Sequence, residues 1–398
     1  MREVLRAAAA RVRALPPPVT IFLGSRALIW ATVLYAWVWF TPRPANPPES
    51  ADLGYVTQIW SRADSAWFVA IAQHGYQRNG SAVFYPLYPL AVGGLGRALG
   101  GHYVTAGIVV SLACCLGAFV LLYRLALPRL GADGARRAVR YLALFPMSLF
   151  LQAVYSESLF LLCCLGAFVL AERRRWLPAG IVAGLALLTR LSGAALLLSL
   201  ALLAWRSPER KRALVSLVSA PVLLGLYPLY LEWKLGAPRA ELAAESGWGR
   251  HLSPAGPFGG AWHALQAAWA GVEQLATGNR THSYWTRVSG IDPLHVAAHN
   301  LEDVAFLLVF IVLGVVAWRR FGAAYGLFVL GSLAIPLSAP SDRYPLLSMP
   351  RFCLPLFPAF LALAAVGSTT RRDRAIIAVS AVFLGAAIVA WAEGQWVS

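Results

Sequence analysis

Apolar runs long enough to cross a lipid bilayer recur along the whole chain, and they restrict its fold more than any other feature. A spanning α-helix needs about 20 consecutive, mostly apolar residues, and the first such run covers about residues 21–40. Hydrophobic residues make up 59% of the 398 residues and charged residues only 13%, which is more apolar surface than a soluble domain of this length can bury. We therefore predict an all-α polytopic membrane protein.

Clusters of arginine separate these runs and predict the orientation. Loops rich in Lys and Arg stay on the cytoplasmic side of a membrane, where anionic headgroups of membrane lipids are their nearest partners. The net charge of +16 therefore does not indicate a nucleic-acid partner, and no basic aromatic RNA-binding motif is present. The first run follows such a cluster and is predicted to be a retained span with the N-terminus cytoplasmic. The clusters are residues 2–13, 129–140, 173–175, 206–212, 319–320 and 371–374.

Counting passes between the clusters predicts about 11 transmembrane helices in one domain, residues 1–398. A segment with basic residues at both ends must cross twice, so two segments are each predicted to contain a pair of short helices. Residues 140–173 would break near Tyr155-Ser156-Glu157-Ser158, and residues 176–205 near Thr189-Arg190. The other predicted spans are about residues 104–123, 213–233, 304–318, 323–336, 352–366 and 375–391.

Two long loops, residues 41–103 and 235–300, fall on the outer side in this topology, and loops of such length usually carry function. Within the first loop, apolar residues share one helical face, which predicts a helix lying in the membrane interface with Asp64 on it. The residues of that face are Tyr55, Ile59, Trp60, Ala63, Trp67, Ala70 and Ile71.

Asp64 is the first candidate for chemistry. A carboxylate among tryptophans at a membrane face is costly to keep unless it has a task, and the task predicted here is that of a general base. Two plainer interpretations remain open. Asp64 is either a solvated residue on the polar edge of the helix or the ion-pair partner of Arg62.

Three further charged residues interrupt or begin apolar runs. A charged residue between two apolar runs, such as Arg190, costs free energy. Its planar guanidinium suits a phosphate, which is the functional interpretation. The alternatives are that it pairs with Glu157 or that its side chain extends to the lipid headgroups. Glu157 has two interpretations. It accepts hydrogen bonds from a polar ligand, or it stands in the first turn of a helix that Ser156 caps and there interacts favourably with the helix dipole. Arg351 is either a second phosphate contact or an interface anchor.

The segment from Phe84 to Pro89 combines aromatic rings with prolines that prevent a regular helix. Its rings, with Tyr85 and Tyr88 as candidates, suit a wall that stacks on a sugar or an interfacial aromatic belt. Five cysteines lie within apolar runs without metal-ligand spacing and are predicted to be packing residues. No phosphate-binding glycine loop, metal cluster or nucleophile elbow is visible.

Taken together, these motifs resemble the bacterial branch of the PIG-V mannosyltransferase family. Trp60…Asp64…Trp67, followed by Phe84-Tyr85-Pro86-Leu87-Tyr88-Pro89, is similar to the first outer loop of that family. Ala63 stands where many relatives have an aromatic residue. The later matching segments, in the same order, are Phe145-Pro146, Tyr155-Ser156-Glu157-Ser158, Thr189-Arg190 and Pro350-Arg351-Phe352.

The resemblance implies a GT-C fold and inverting transfer of mannose from a polyprenyl-phosphate donor at the outer face of a membrane. Arginine greatly outnumbers lysine and alanine is abundant, which indicates a bacterial plasma membrane. No cofactor is expected, and two arginines that stabilise charge on the donor phosphate would make a metal unnecessary. Asp64 would be the base, and Arg190 and Arg351 would bind the donor phosphate. The acceptor would be a glycolipid, a glycan or a protein. An enzyme using another lipid-linked sugar, or a lipid or solute transporter, remains an alternative. The residues expected to line the substrate site are Trp60, Trp67, Tyr85, Tyr88, Tyr155 and Glu157.

Overall fold

A computed structural model describes residues 15–40, 52–247, 249–286, 291–342, 344–395 and 397. Every regular element in these residues is helical, and their β pairing is limited to two isolated bridges. The prediction of an all-α fold is confirmed. The α-helices are α1 Pro17–Trp39, α2 Tyr55–Gln58, α3 Ser65–His74, α4 Leu87–Ala98, α5 Tyr103–Ala143, α6 Glu157–Glu172, α7 Trp176–Leu187, α8 Gly193–Trp205, α9 Arg210–Leu217, α10 Ser219–Leu235, α11 Ala240–Gly247, α12 Pro257–Thr277, α13 Pro293–Phe321, α14 Ala323–Ser338, α15 Met349–Cys353, α16 Phe357–Val366 and α17 Thr370–Ala392, with 3₁₀ turns at Ser81–Val83 and Pro146–Leu151.

Five helical stretches of the described residues are long and apolar enough to cross a membrane, which makes the chain a multi-pass membrane protein. Four shorter apolar helices, α7, α8, α14 and α16, account for further predicted passes. The count of about 11 passes stays a prediction, because several of these helices are shorter than the roughly 20 residues that a straight span needs. The five long stretches are Pro17–Trp39, Tyr103–Ala143, Arg210–Leu235, Pro293–Phe321 and Thr370–Ala392.

The predicted break near Thr189-Arg190 is confirmed. Helix α7 ends at Leu187 and α8 begins at Gly193. The turn is tight enough that a Cβ on Gly193 would lie 2.9 Å from the backbone nitrogen of Leu187, so glycine is needed for this close approach. The turn leaves Arg190 between two apolar helices.

The prediction of two helices between residues 140 and 173 is wrong for the first of them. Helix α5 continues to Ala143 across a kink at Gly131, whose φ is 69°, and a 3₁₀ turn, Pro146–Leu151, replaces the rest of the expected helix. Pro146 has no backbone N–H, so a helix reaching it from α5 would lose a hydrogen bond there. Only the second helix, α6, forms as predicted.

The continuous interfacial helix predicted around Asp64 is also wrong, because two separate helices, α2 and α3, stand in its place. Between them Ala63 adopts a φ of 50°, a conformation that interrupts a right-handed helix. Trp60 is fully buried against Trp30, with ring centroids 5.0 Å apart, whereas Tyr55 is exposed. Packing of Trp60 into the core outweighs the local helical pattern.

The predicted span over residues 352–366 is divided as well. Helix α15 ends at Cys353 and α16 begins at Phe357, on either side of Pro355, which cannot donate a helical hydrogen bond. Because of this division, Arg351 lies in a short separate helix rather than at the beginning of a span.

Helix α13 begins at Pro293, well before the predicted start at residue 304.

A buried arginine fixes the end of α5 close to the segment that carries Tyr155 and Glu157. Arg26 of α1 donates hydrogen bonds to the carbonyl oxygens of Ala143 at 3.0 Å and Ser148 at 2.7 Å. Carbonyl groups at a helix end otherwise lack partners. The five cysteines are all buried and free, which confirms that they are packing residues.

Candidate active site

Five charged side chains from separate parts of the fold meet in one cluster. Asp64 lies immediately before α3, and Glu157 is the first residue of α6. Arg190 lies in the turn between α7 and α8, and Arg351 belongs to the short helix α15. Arg250 precedes α12. The fold therefore brings together residues that are up to 287 positions apart.

The cluster is a chain of alternating charges. Nη1 of Arg351 donates to Oδ2 of Asp64 at 2.7 Å, and its Nε lies 3.1 Å from Oε1 of Glu157. Nη1 of Arg190 donates to that same Oε1 atom. Hydrogen bonds between charged partners are stronger than neutral ones. The alternative that pairs Arg190 with Glu157 is therefore the arrangement observed.

Burial and neighbouring charge act in opposite directions on the two arginines. Burial lowers the pKa of Arg351, but the carboxylates of Asp64 and Glu157 raise it by more, so the net shift is upward. Burial also lowers the pKa of Arg190, and there Glu157 only partly compensates, so the net shift is downward. Arginine stays cationic at neutral pH in either case. The cluster thus presents permanent positive charge.

Glu157 lies at a helix N-terminus and also pairs with two arginines of the cluster. Its side chain is almost fully buried in the first turn of α6, where the helix dipole favours a carboxylate. Ser156 occupies the N-cap position, but its side chain makes no capping hydrogen bond. Oε1 of Glu157 contacts two arginines, whereas Oε2 has no hydrogen-bond partner. That oxygen is itself buried, so Glu157 acts here as a partner of the two arginines, and its predicted contact with a substrate is not accessible from the surface.

Tyr155 holds the backbone around Asp64 through two hydrogen bonds. Its hydroxyl accepts a hydrogen bond from the backbone N–H of Asp64 at 3.2 Å and donates one to the carbonyl oxygen of Arg62 at 3.1 Å. The guanidinium carbon of Arg351 lies 5.3 Å from the centre of its ring. The ring is buried, so the predicted substrate contact is corrected: Tyr155 supports residues of the site and is itself covered.

Replacing Tyr155 by phenylalanine is expected to lower the free energy of unfolding by about 1 kcal/mol for each hydrogen bond lost. Thermal unfolding in detergent would measure this effect. Tyr35→Phe is the matched control, since the ring of Tyr35 is 62% exposed. Equal stability of both variants would show that the Tyr155 hydroxyl does not hold the Asp64 backbone.

Two of the predicted aromatic contacts, Trp67 and Tyr85, remain partly exposed. Trp67, one turn after Asp64, stacks on Phe84 with ring centroids 5.8 Å apart and an interplanar angle of 16°. Tyr85 packs at a tilt against Tyr227, with centroids 5.3 Å apart. Their accessible faces suit contacts with a sugar ring, so both stay candidates for a substrate wall.

The other two predicted aromatic contacts are corrected. Trp60 is fully buried against Trp30 and offers no surface to a substrate. Tyr88 is fully buried too, and its hydroxyl lies 2.9 Å from the Ser111 hydroxyl and 3.1 Å from the Gly107 carbonyl oxygen. Both rings belong to the main hydrophobic core of the described residues.

Sequence reasoning missed Arg250 and the role of Phe352. The guanidinium carbons of Arg190, Arg250 and Arg351 lie 5.0, 5.5 and 6.0 Å from the centre of the Phe352 ring. Arg250 is an arginine in a long loop and interrupts no apolar run, so no local pattern singles it out. Its place in the cluster depends on tertiary folding.

No group of three or more His, Cys, Asp or Glu side chains is arranged to hold a metal ion in the part of the chain that the structure describes. The expectation that the site works without a metal or a cofactor stays a prediction. The polar groups that could contact a ligand there are the Asp64 carboxylate and the three arginines described above.

Comparison with known proteins addresses the first half of the chain. Residues 46–205 match the model of the family described as mannosyltransferase (PIG-V). The predicted PIG-V resemblance is confirmed over these residues, and its extension to Pro350-Arg351-Phe352 stays a prediction. The matching region contains Asp64, Glu157 and Arg190, whereas Arg250 and Arg351 lie beyond it. Membership of the bacterial branch stays a prediction.

A curated relative covers a similar share of the chain. GPI alpha-1,6-mannosyltransferase 2 of Rattus norvegicus is 33% identical over 165 residues, which is 37% of this chain and 34% of the rat protein. The chain therefore aligns with about a third of the length of this relative.

Two solved structures align with most of this chain at low sequence identity. ArnT from Cupriavidus metallidurans aligns with a TM-score of 0.48 and 16% identity over 94% of this chain and 63% of its own. The oligosaccharyltransferase of Archaeoglobus fulgidus aligns with the same TM-score and 14% identity over 94% and 55% of the two chains.

Proposed function

We propose that this protein is an inverting GT-C glycosyltransferase that moves mannose from a polyprenyl-phosphate donor to an acceptor hydroxyl, with Asp64 as the general base. One observation carries the proposal: Asp64 joins Arg351, Glu157 and Arg190 in one partly buried cluster. The match of residues 46–205 to a mannosyltransferase family supports both the reaction class and the sugar.

The charges of the cluster support a phosphate-linked donor. A sugar joined to a lipid by one phosphate is an anionic phosphodiester, and arginine binds phosphate oxygens through two parallel hydrogen bonds. Arg190 and Arg351 are the residues proposed to bind that group. The apolar helices around the cluster favour a donor whose leaving group is itself a lipid.

The proposed reaction is a single displacement. Asp64 takes the proton of the acceptor hydroxyl as its oxygen attacks the anomeric carbon of the sugar. The bond between that carbon and the phosphate oxygen breaks on the opposite face, so the configuration inverts and polyprenyl phosphate leaves. Arg190 and Arg351 stabilise the charge that develops on the leaving phosphate.

The ion pair between Asp64 and Arg351 links donor binding to base activity in this proposal. Without a donor, the carboxylate is held by the guanidinium at 2.7 Å. A phosphate that binds Arg351 competes for the same N–H groups and loosens that pair. Loss of that pair leaves Oδ2 of Asp64, as well as Oδ1, able to accept the proton of the acceptor hydroxyl when a donor is bound.

We also propose that the site faces the outside of a bacterial plasma membrane, with a cytoplasmic N-terminus. All five charged residues of the cluster belong to loops or turns that the distribution of arginine assigns to the same, outer side. Donor sugars linked to a polyprenyl chain can reach that side, whereas nucleotide sugars are made inside. The proposed acceptors are a glycolipid, a glycan or a protein.

The deciding experiment incubates the purified protein in lipid nanodiscs with synthetic polyprenyl-phosphate mannose and bacterial membrane extracts. We expect release of polyprenyl phosphate together with mannose transfer to a component of the extract. Glucose- and pentose-linked donors run in parallel identify another donor sugar. If no donor is consumed but lipid or sugar crosses a proteoliposome membrane, the protein is a transporter and the proposal is wrong.

A further inference from the structure

We propose that Arg250 is a third anion-binding residue of this site and contacts the donor phosphate together with Arg190 and Arg351. The inference rests on the proposed function for the identity of the ligand. Residue 250 lies outside the region that matches the PIG-V family, which ends at residue 205. The argument therefore depends on the position and contacts of this side chain alone.

The three guanidinium groups converge on one aromatic ring. Their carbon atoms all lie within 6.0 Å of the centre of Phe352, and that of Arg250 lies at 5.5 Å. Burial lowers the pKa of Arg250; Glu245 opposes this shift, while Arg351 and Arg190 add to it. Arg250 therefore feels the positive charges of Arg351 and Arg190, which Glu245 and Asp64 oppose, and an anion bound beside it would reduce the remaining repulsion.

Arg250 has hydrogen-bond donors to spare. A guanidinium carries five N–H groups, and here Nη2 donates to the carbonyl oxygen of Leu347 at 3.3 Å. The carboxylate of Glu245 lies 3.9 Å from Nε, which is too long for a hydrogen bond. The side chain of Arg250 remains 19% exposed, so a ligand can reach it.

The backbone around Arg250 is tied to the segment that leads into α15. Arg250 forms an isolated antiparallel bridge with Ser341. The N–H of His251 donates to the carbonyl oxygen of Pro340 at 3.4 Å, and that of Asp342 to Gly249 at 3.3 Å. This pairing holds Arg250 in place relative to the helix that carries Arg351, as a preorganised binding site requires.

The net charge of the cluster also favours the binding of one anion. Asp64 and Glu157 together contact two of the three arginines. Glu245, the carboxylate nearest to Arg250, is 44% exposed, and water screens much of its charge. The cluster therefore keeps an excess of about one positive charge, which a phosphodiester with a single negative charge would balance.

The test replaces Arg250 by glutamine and measures two quantities in nanodiscs: the KM for polyprenyl-phosphate mannose and the Kd for polyprenyl phosphate. We expect both to rise by roughly 10- to 100-fold, as for the loss of a hydrogen bond to a charged group. Arg280→Gln is the matched control. Its side chain belongs to the same loop, is 69% exposed and pairs with Asp292, so we expect less than about a twofold change there.

Unchanged KM and Kd in Arg250→Gln, with transfer intact in the unaltered protein, would overturn this inference and leave the proposed function standing. Absence of donor and polyprenyl phosphate binding in the unaltered protein would instead overturn both. If Arg250→Gln fails to fold, Arg250→Met decides the matter, because methionine keeps an unbranched stem but has neither the charge nor the N–H donors of arginine. Weaker binding of polyprenyl phosphate by that variant supports the contact, and wild-type affinity overturns it.

Discussion

Asp64→Asn is expected to abolish sugar transfer while the donor still binds. A positioned general base contributes roughly 10²- to 10⁴-fold to a rate, and the amide of asparagine cannot take the acceptor proton. The substitution also releases Arg351 from its ion pair at 2.7 Å, so donor affinity should be retained or increase. Measurements of kcat and of polyprenyl phosphate binding on the same preparation separate the two effects.

Asp133→Asn is the control for this prediction. Asp133 loses the same charge, but its side chain is 80% exposed and pairs only with Arg136 at 3.1 Å in the described structure, so its kcat should equal that of the unaltered protein. If Asp64→Asn were as active as this control, Asp64 would not be the base. Glu157 would then become the candidate, because it is the other carboxylate of the cluster.

Glu157→Gln is expected to cause the largest loss of stability of the substitutions considered. Glu157 is almost fully buried and its Oε1 contacts both Arg190 and Arg351. Removing one member of a buried ion pair typically costs about 3–5 kcal/mol, because the remaining charge is left without compensation. The measurement is the free energy of unfolding in detergent micelles, determined by titration with a denaturant.

The double variant Glu157→Gln with Arg190→Gln tests the cause of that loss. When the uncompensated guanidinium is removed as well, part of the lost stability should return. Transfer activity should not return, because the double variant also lacks a proposed phosphate ligand. A double variant less stable than Glu157→Gln alone would show that Arg190 is held by contacts other than this carboxylate.

Much of the candidate site can be found in the sequence as separate residues. Asp64, Glu157, Arg190 and Arg351 stand out because a charge at the edge of an apolar run costs free energy and needs a reason. The sequence does not pair them, since Arg190 has three possible partners or environments. The predictions for Trp60 and Tyr88 fail because an aromatic residue near a candidate base has the same local pattern whether it faces a ligand or the core.

The sequence alone determined the all-α membrane class and the turn between α7 and α8, because apolar run length and the cost of burying charge are local properties. Only the tertiary structure decided where the helix breaks around Asp64, since packing of Trp60 in the core outweighs the local helical pattern there. It also decided that Arg250 joins the cluster. That residue reaches Phe352 through backbone pairing with Ser341, and contacts between such distant segments leave no periodic trace in the chain.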